Sequence, residues 1–136
     1  MWHAEHTLET TAPPDRVWEQ MRQVAGWPRW DTDLACVELS GAFSPGAQGS
    51  MTFRDAGSRA FHLAAVDDLR GFTALTRLPL AEVRHIHRQE TSAMGTRMTH
   101  RIEIRGPLSW FYGWSLGRRL RADLAPSMRR LARLAS

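Results

Sequence analysis

Histidines are the residues of this sequence best able to do chemistry, and three of them recur in one pattern. His85 and His87 are separated by one residue, and His100 lies beyond a turn signal at Met94-Gly95. Neutral imidazoles can hydrogen-bond a ligand's carbonyl or phenol oxygen, or act as general acid and base near neutral pH. These three are the candidate catalytic residues, with a purely structural polar role as the alternative.

The same spacing disfavours a metal site. Residues two apart on one strand face lie about 7 Å from each other, and no carboxylate or cysteine completes a tight ligand set. No phosphate-binding glycine loop, GxSxG or HExxH stretch occurs in the chain. We therefore expect no metal and no cofactor.

A two-residue turn at Met94-Gly95 would place the flanking strands side by side. It gives three facing pairs: Gln89 with His100, His87 with Ile102, and His85 with Ile104. The opposite face collects arginines and glutamates, so we expect it to be solvated and the histidines to face inward. The turn LPLA pairs Arg77 with Glu82 in the same way and puts Phe72 and Thr76 on the inner face.

We call the inward-facing histidines His85, His87 and His100 the histidine wall, and the remaining elements must hold it in place. Residues 2 to 11 alternate as a strand does, and Pro13-Pro14-Asp15 opens a helix that ends by Gly26. Pro28 can begin a second short helix that presents Trp27 and Trp30 on one face. Strands with short turns fill residues 34 to 106, where the directions of His62 and Cys36 stay open.

A long amphipathic helix follows Gly106-Pro107. Gly113 and Gly117 lie on its apolar stripe, where they either leave volume for a ligand or allow close packing on the sheet. Trp110 and Trp114 are expected at the core or the rim of a pocket. Five arginines form a separate face, which is solvent by default or an anionic membrane contact: Arg118, Arg119, Arg129, Arg130 and Arg133.

Composition sets the broad class. The chain has 136 residues, 43% of them hydrophobic, and one cysteine, which is typical of a single domain over residues 1–136 in a reducing compartment. We see no signal peptide and no apolar run of membrane-spanning length, so we expect a cytoplasmic protein. All basic residues are arginine and are dispersed, so no nucleic-acid partner is expected.

Five stretches occur along the order β-α-α-β6-α: TAPPDRVWEQM at 10–21, GWPRWDTDL at 26–34, FSPGAQGSMTF at 43–53, the segment from Gly95 to Leu120, and LAPSMRRLARL at 124–134. In this order they resemble the START-like helix-grip superfamily (SRPBCC), in particular its polyketide cyclase/dehydrase and lipid-transport branch. This resemblance implies an α+β fold in which a curved seven-stranded antiparallel sheet grips the long C-terminal helix around an internal cavity. It also implies that the first strand lies beside the seventh, which brings His6 to the histidine wall.

The function that this resemblance implies is binding of a small hydrophobic or aromatic ligand, for transport or sequestration, by a monomer or homodimer. The expected ligand-binding residues are Trp27, Trp30, Phe72, Thr76, His85, His87, Gln89, Met98, His100, Ile102, Trp110, Gly113, Gly117 and Leu120. One alternative is a polyketide aromatase/cyclase-type enzyme that uses the pocket histidines. Another is an accessory protein that docks on a membrane or partner through the arginine face.

Overall fold

Seven antiparallel strands form one sheet in the computed structural model, which describes residues 1–136. The strands are β1 Trp2–Thr10, β2 Leu34–Ser40, β3 Gln48–Phe53, β4 Gly57–Asp67, β5 Gly71–Leu78, β6 Ala81–Thr91 and β7 Thr96–Arg105, in the spatial order β1-β7-β6-β5-β4-β3-β2. The helices are α1 Pro14–Arg22, a 3₁₀ helix Val24–Arg29 and α2 Ser109–Ala135. The predicted element order, the α+β class and the pairing of β1 with β7 are confirmed.

The hairpin between β6 and β7 differs from the prediction by one residue. Ser92 and Gly95 exchange backbone hydrogen bonds of 3.1 and 3.2 Å, so the two-residue loop is Ala93-Met94. Gly95 belongs to the strand side instead, where a Cβ would lie 2.6 Å from the carbonyl oxygen of Thr10. The close approach of the chain after β1, and not the turn, therefore requires this glycine.

Every pairing between β6 and β7 consequently shifts by two residues. His87 lies opposite His100, Gln89 opposite Met98, and His85 opposite Ile102. Because a shift of two preserves the face, the histidines still point inward. The predicted pairing of Arg77 with Glu82 between β5 and β6 is confirmed.

Helix α2 packs along β1 and β7 and divides the interior into two apolar clusters. The larger cluster joins α1, the 3₁₀ helix and β2 to the C-terminal half of α2, where Met128 and Leu131 are fully buried. The smaller cluster contains Ile102, Ile104 and Leu124, with Trp2 and Leu120 packed against it. Helix α2 continues through Pro126.

The segment around Trp27 and Trp30 folds differently from the prediction. Pro28 lies inside the 3₁₀ helix and does not begin a helix, and Trp30 follows its last residue. Both indoles are buried. Further along, Cys36 is exposed, and His62 points outward because its neighbours Phe61 and Leu63 are buried.

Candidate functional site

The histidine wall is built by facing positions of three central strands. His87 of β6 lies between Phe72 of β5 and His100 of β7. Its ring stacks on Phe72 with centroids 4.5 Å apart and meets His100 edge-on at 4.3 Å. His85 is stacked 6.4 Å from His87, and His6 of β1 pairs with His100 from the other side. The structure thus brings all four predicted histidines together.

Trp30 closes this wall from the lid, which we define as residues 24–30. Its ring lies edge-on to His87 at 5.8 Å and tilted to His100 at 6.1 Å. Together with the 4.3 Å spacing of the two imidazoles, these distances describe a compact triangle of three nitrogen-bearing rings. One small polar group of a ligand could be reached from all three corners.

Trp27 has a different environment from Trp30. Its ring stacks on Phe72 at 5.3 Å and is tilted to Phe61 at 5.8 Å. Its Nε1 donates a hydrogen bond of 2.8 Å to the carbonyl oxygen of Met21. Because its ring and its polar atom are both satisfied by protein groups, Trp27 serves as a core residue that fixes the lid to α1.

Burial keeps the wall uncharged. Desolvation lowers the pKa of His85 to about 4 and that of His100 to about 3, with repulsion from neighbouring imidazoles as a second cause for His100. Desolvation, followed by repulsion from His100 and His85, lowers the pKa of His87 well below its ordinary value. At neutral pH each ring therefore offers one N–H donor and one nitrogen acceptor.

Buried polar atoms without a hydrogen-bond partner concentrate on this inner face and its lid. Five of the six such atoms lie here: Trp30 Nε1, Thr76 Oγ1, His87 Nδ1, Gln89 Oε1 and His100 Nε2; the sixth is Asp123 Oδ2 on α2. Native proteins leave few such atoms unpaired, because each costs about 1–3 kcal/mol. Five of them on one surface indicate a place where polar atoms from outside the chain would bind.

The other predicted ligand-binding residues lie either on the inner face or in the apolar clusters around it. Thr76 is buried on β5, on the inner face. Gln89 donates through Nε2 to the carbonyl oxygen of Pro14 at 2.8 Å, so it also anchors the start of α1. Met98 belongs to the larger cluster, Ile102 belongs to the smaller one, and Leu120 packs against the smaller one.

Gly113 and Gly117 face the indole of Trp2. A Cβ at Gly113 would lie 2.6 Å from Trp2 Cδ1, and one at Gly117 would lie 2.7 Å from Trp2 Cε2. Of the two alternatives that the sequence left open, the structure therefore has close packing, because the Trp2 ring fills the volume that a ligand would need. Sequence periodicity gave no signal for this contact, since Trp2 is distant in the chain.

Trp110 does not line the interior, so a core position for it is wrong. Its side chain is 68% exposed, and that of Trp114 is 81% exposed. Helical side chains lean toward the N-terminus of their helix, and Trp110 is in the first turn of α2. Trp2, the first residue of β1, already sits against Gly113, so the sheet leaves Trp110 uncovered.

Side chains fill much of the space where the internal cavity was expected. Side chains occupy the interior, where Trp27, Phe72 and His87 form a continuous stack. An open recess of about 660 Å³ lies between the lid and β2. Phe43 lines it and packs edge-on against Phe72 at 5.3 Å, so two aromatic rings separate this recess from His87.

A carboxyl cluster beside the lid was missed from the sequence. Burial, followed by a hydrogen bond with Asp33, raises the pKa of Asp123 to about 7. Hydrogen bonds from Asp123 and Arg119 lower the pKa of Asp33. Burial also raises the pKa of Asp31 to about 6. The only signal was the WDTD stretch after the lid, whose partners Arg119 and Asp123 are far away in the sequence.

No group of three or more histidine, cysteine, aspartate or glutamate side chains is placed to hold a metal ion. No helix is both long and apolar enough to cross a membrane.

Comparison with known families assigns the chain. The family described as polyketide cyclase / dehydrase and lipid transport matches residues 1–136. The chain belongs to this family. A search of curated proteins finds no match.

Solved structures similar to this family member share its helix-grip fold. Protein MLL2253 from Mesorhizobium loti is 12% identical, with a TM-score of 0.76 over 98% of this chain and 96% of that one. The di-domain ARO/CYC StfQ from the steffimycin biosynthetic pathway is 13% identical, with a TM-score of 0.79 over 98% of this chain and 50% of that one. DynU16, described as a putative protein in the dynemicin biosynthetic locus, is 19% identical, with a TM-score of 0.73 over 96% of this chain and 46% of that one.

Proposed function

We propose that this protein binds a small, uncharged, mainly apolar molecule whose carbonyl or hydroxyl oxygen is held by Trp30, His87 and His100. The observation that carries the proposal is the set of unpaired buried polar atoms on these three rings. Membership of the polyketide cyclase/dehydrase and lipid transport family fits ligand binding in general.

The chemistry of the wall selects the ligand class. Trp30 Nε1 can only donate, whereas each neutral histidine donates through one nitrogen and accepts through the other. A ligand oxygen that accepts from these donors gains the hydrogen bonds that the folded chain leaves unmade. Because the pKa values of His85 and His100 are lowered to about 4 and about 3, the wall carries no positive charge for an anion at neutral pH.

The apolar surroundings supply the affinity. Phe72, Met98 and Ile102 lie on the same inner face and are buried. A ligand that displaces water from such surfaces gains roughly 25 cal/mol per Å² of apolar area. Because protein side chains already fill the interior, binding requires the lid or Phe43 to move. The polar triangle then fixes orientation, and the apolar contacts provide most of the free energy.

The test uses prodan, a neutral naphthyl ketone whose fluorescence emission shifts to the blue when it leaves water. We expect saturable binding to the unchanged protein at pH 7. His100→Leu should raise the Kd about fivefold to tenfold, because one hydrogen bond of roughly 1 kcal/mol is lost. Its thermal stability should not fall, because the substitution also removes an unpaired buried nitrogen.

His62→Leu is the matched control, because His62 points away from the interior on β4. It should leave the Kd for prodan unchanged. Equal effects of the two substitutions, or no saturable emission shift with the unchanged protein, would contradict the proposal.

A further inference from the structure

Three large aromatic side chains stand in solvent at the start of α2. Trp110 is 68% exposed, Phe111 is 54% exposed and Trp114 is 81% exposed. The rings of Phe111 and Trp114 lie 6.3 Å apart, so they form one surface. Isolated exposed apolar residues are ordinary, but a contiguous group of this size marks a contact with something outside the chain.

A leucine at the same end of the molecule adds to this surface. Leu80, in the turn between β5 and β6, is 65% exposed and has φ of +57°. This left-handed conformation favours glycine or asparagine and costs a leucine roughly 1 kcal/mol. The turn is tied to α2 by hydrogen bonds from Leu108 N to Leu80 O at 3.1 Å and from the Tyr112 hydroxyl to Pro79 O at 3.0 Å.

We name Leu80, Trp110, Phe111 and Trp114 the aromatic tip. Positive charge continues from it along α2. Trp110, Trp114, Arg118 and Arg121 follow each other at helical spacings of three and four residues, so they share one side of the helix. Arg118 makes no ion pair, and Arg121 lies 5.4 Å above the Trp2 ring. The one acidic residue of α2, Asp123, is hydrogen-bonded to Asp33.

Charge decides between the occupants of this surface. A symmetric contact with a second copy would gather Arg118 and Arg121 of both copies at one interface, where the one acidic residue of α2, Asp123, is already engaged with Asp33. Tryptophan is enriched at the boundary between lipid and water, and arginine is attracted to anionic headgroups.

We propose that the protein docks on the surface of an anionic lipid membrane through the aromatic tip, with Arg118 and Arg121 against the headgroups. The aromatic rings would enter the boundary between headgroups and acyl chains. This contact lies on the outer surface of α2 and does not require the histidine wall to bind a ligand.

The test is co-sedimentation with sucrose-loaded vesicles at physiological salt. We expect the unchanged protein to sediment with phosphatidylcholine vesicles that contain about 30 mol % phosphatidylglycerol and much less with phosphatidylcholine alone. Trp114→Ser should lower the partition coefficient at least about fivefold. Arg118→Glu should lower it about tenfold on anionic vesicles and leave it unchanged on neutral ones.

Two substitutions serve as matched controls. Leu69→Ser changes another exposed leucine with positive φ, which lies at the opposite end of β5, about 25 Å from Leu80. Arg129→Glu reverses an exposed charge on the same helix, eleven residues beyond Arg118 and therefore about 16 Å along its axis. Each should change the partition coefficient by less than about twofold.

Folding does not confound this experiment, because the Trp114 side chain is 81% exposed. We expect Trp114→Ser to keep the melting temperature of the unchanged protein. Three results would overturn the proposal: an unchanged protein that stays in the supernatant with anionic vesicles, normal sedimentation of Trp114→Ser, or a dimer in native mass spectrometry that Trp114→Ser dissociates. The last result would assign the aromatic tip to a second copy of the chain.

Discussion

Replacing each lid tryptophan by phenylalanine should separate a core residue from a ligand-binding one. Both indoles are buried, at 4% exposure for Trp27 and 3% for Trp30. Either substitution removes roughly 40 Å² of apolar area, which costs about 1 kcal/mol. Trp27→Phe also removes the 2.8 Å hydrogen bond to Met21 O and leaves that carbonyl without its partner, which costs about 1–2 kcal/mol more. We therefore expect Trp27→Phe to lower the free energy of unfolding by about 2–3 kcal/mol.

Trp30→Phe should behave differently, because Trp30 Nε1 is buried without a partner. Removing this unpaired N–H stabilises the folded protein by about 1 kcal/mol or more, which offsets the cost of the lost apolar area. The free energy of unfolding should therefore change by less than about 1 kcal/mol. Urea unfolding followed by far-ultraviolet circular dichroism measures both values without relying on tryptophan emission. Affinity should respond the other way: Trp30→Phe should raise the Kd for prodan more than Trp27→Phe does. Equal destabilisation by the two substitutions would refute this reasoning.

Two further predictions concern α2. Gly117→Ala should destabilise the protein by about 1–3 kcal/mol in thermal unfolding, because the new Cβ overlaps the Trp2 ring. Helix propensity alone would make alanine stabilising by about 1 kcal/mol, so a stabilised variant would contradict the close packing on Trp2. Asp123→Asn tests the pair of Asp33 and Asp123. The pKa of Asp123 is about 7 in the folded protein and 3.8 as its ordinary value, so the folded protein holds this proton more tightly and loses stability as pH rises from about 4 to 7. After allowance for solvent screening of this partly exposed pair, urea unfolding should show the variant gaining about 1–2 kcal/mol on the unchanged protein between pH 5 and pH 8. Asp55→Asn is the control, because it removes an exposed partner of Arg119, and it should show no such gain. Parallel pH profiles for the unchanged protein and Asp123→Asn would contradict the raised pKa of Asp123.

Alternation along the chain was sufficient to predict which face of β6 and β7 carries the histidines. The register was not, because the position of the turn depends on a contact far away in sequence. Gly95 is required by the approach of the chain at Thr10, and no local pattern reports that contact. The predicted inward face of β6 and β7 is therefore correct, whereas the predicted partner of each residue is displaced by two positions.

The environments of individual aromatic residues were the least predictable part of the site. Trp110 and Trp27 are the same residue type in apolar contexts, yet one is exposed and the other is a core residue. The difference arises because Trp2 occupies the α2 surface beside Trp110, whereas Phe72 and Phe61 enclose Trp27. Both outcomes depend on strands that meet only in the folded protein.

The burial that suits the histidine wall to a neutral ligand also bears on a role in proton transfer. With a pKa of about 4, roughly one His85 ring in a thousand is protonated at pH 7, so the wall holds almost no acid to donate. A general acid or base works best when its pKa is near the working pH. Catalysis of an aldol condensation or dehydration would therefore need a bound ligand that raises these pKa values, for example by placing an anionic oxygen against His87 and His100. A neutral ligand needs no such change, because the uncharged rings already present the donors and acceptors that it would use.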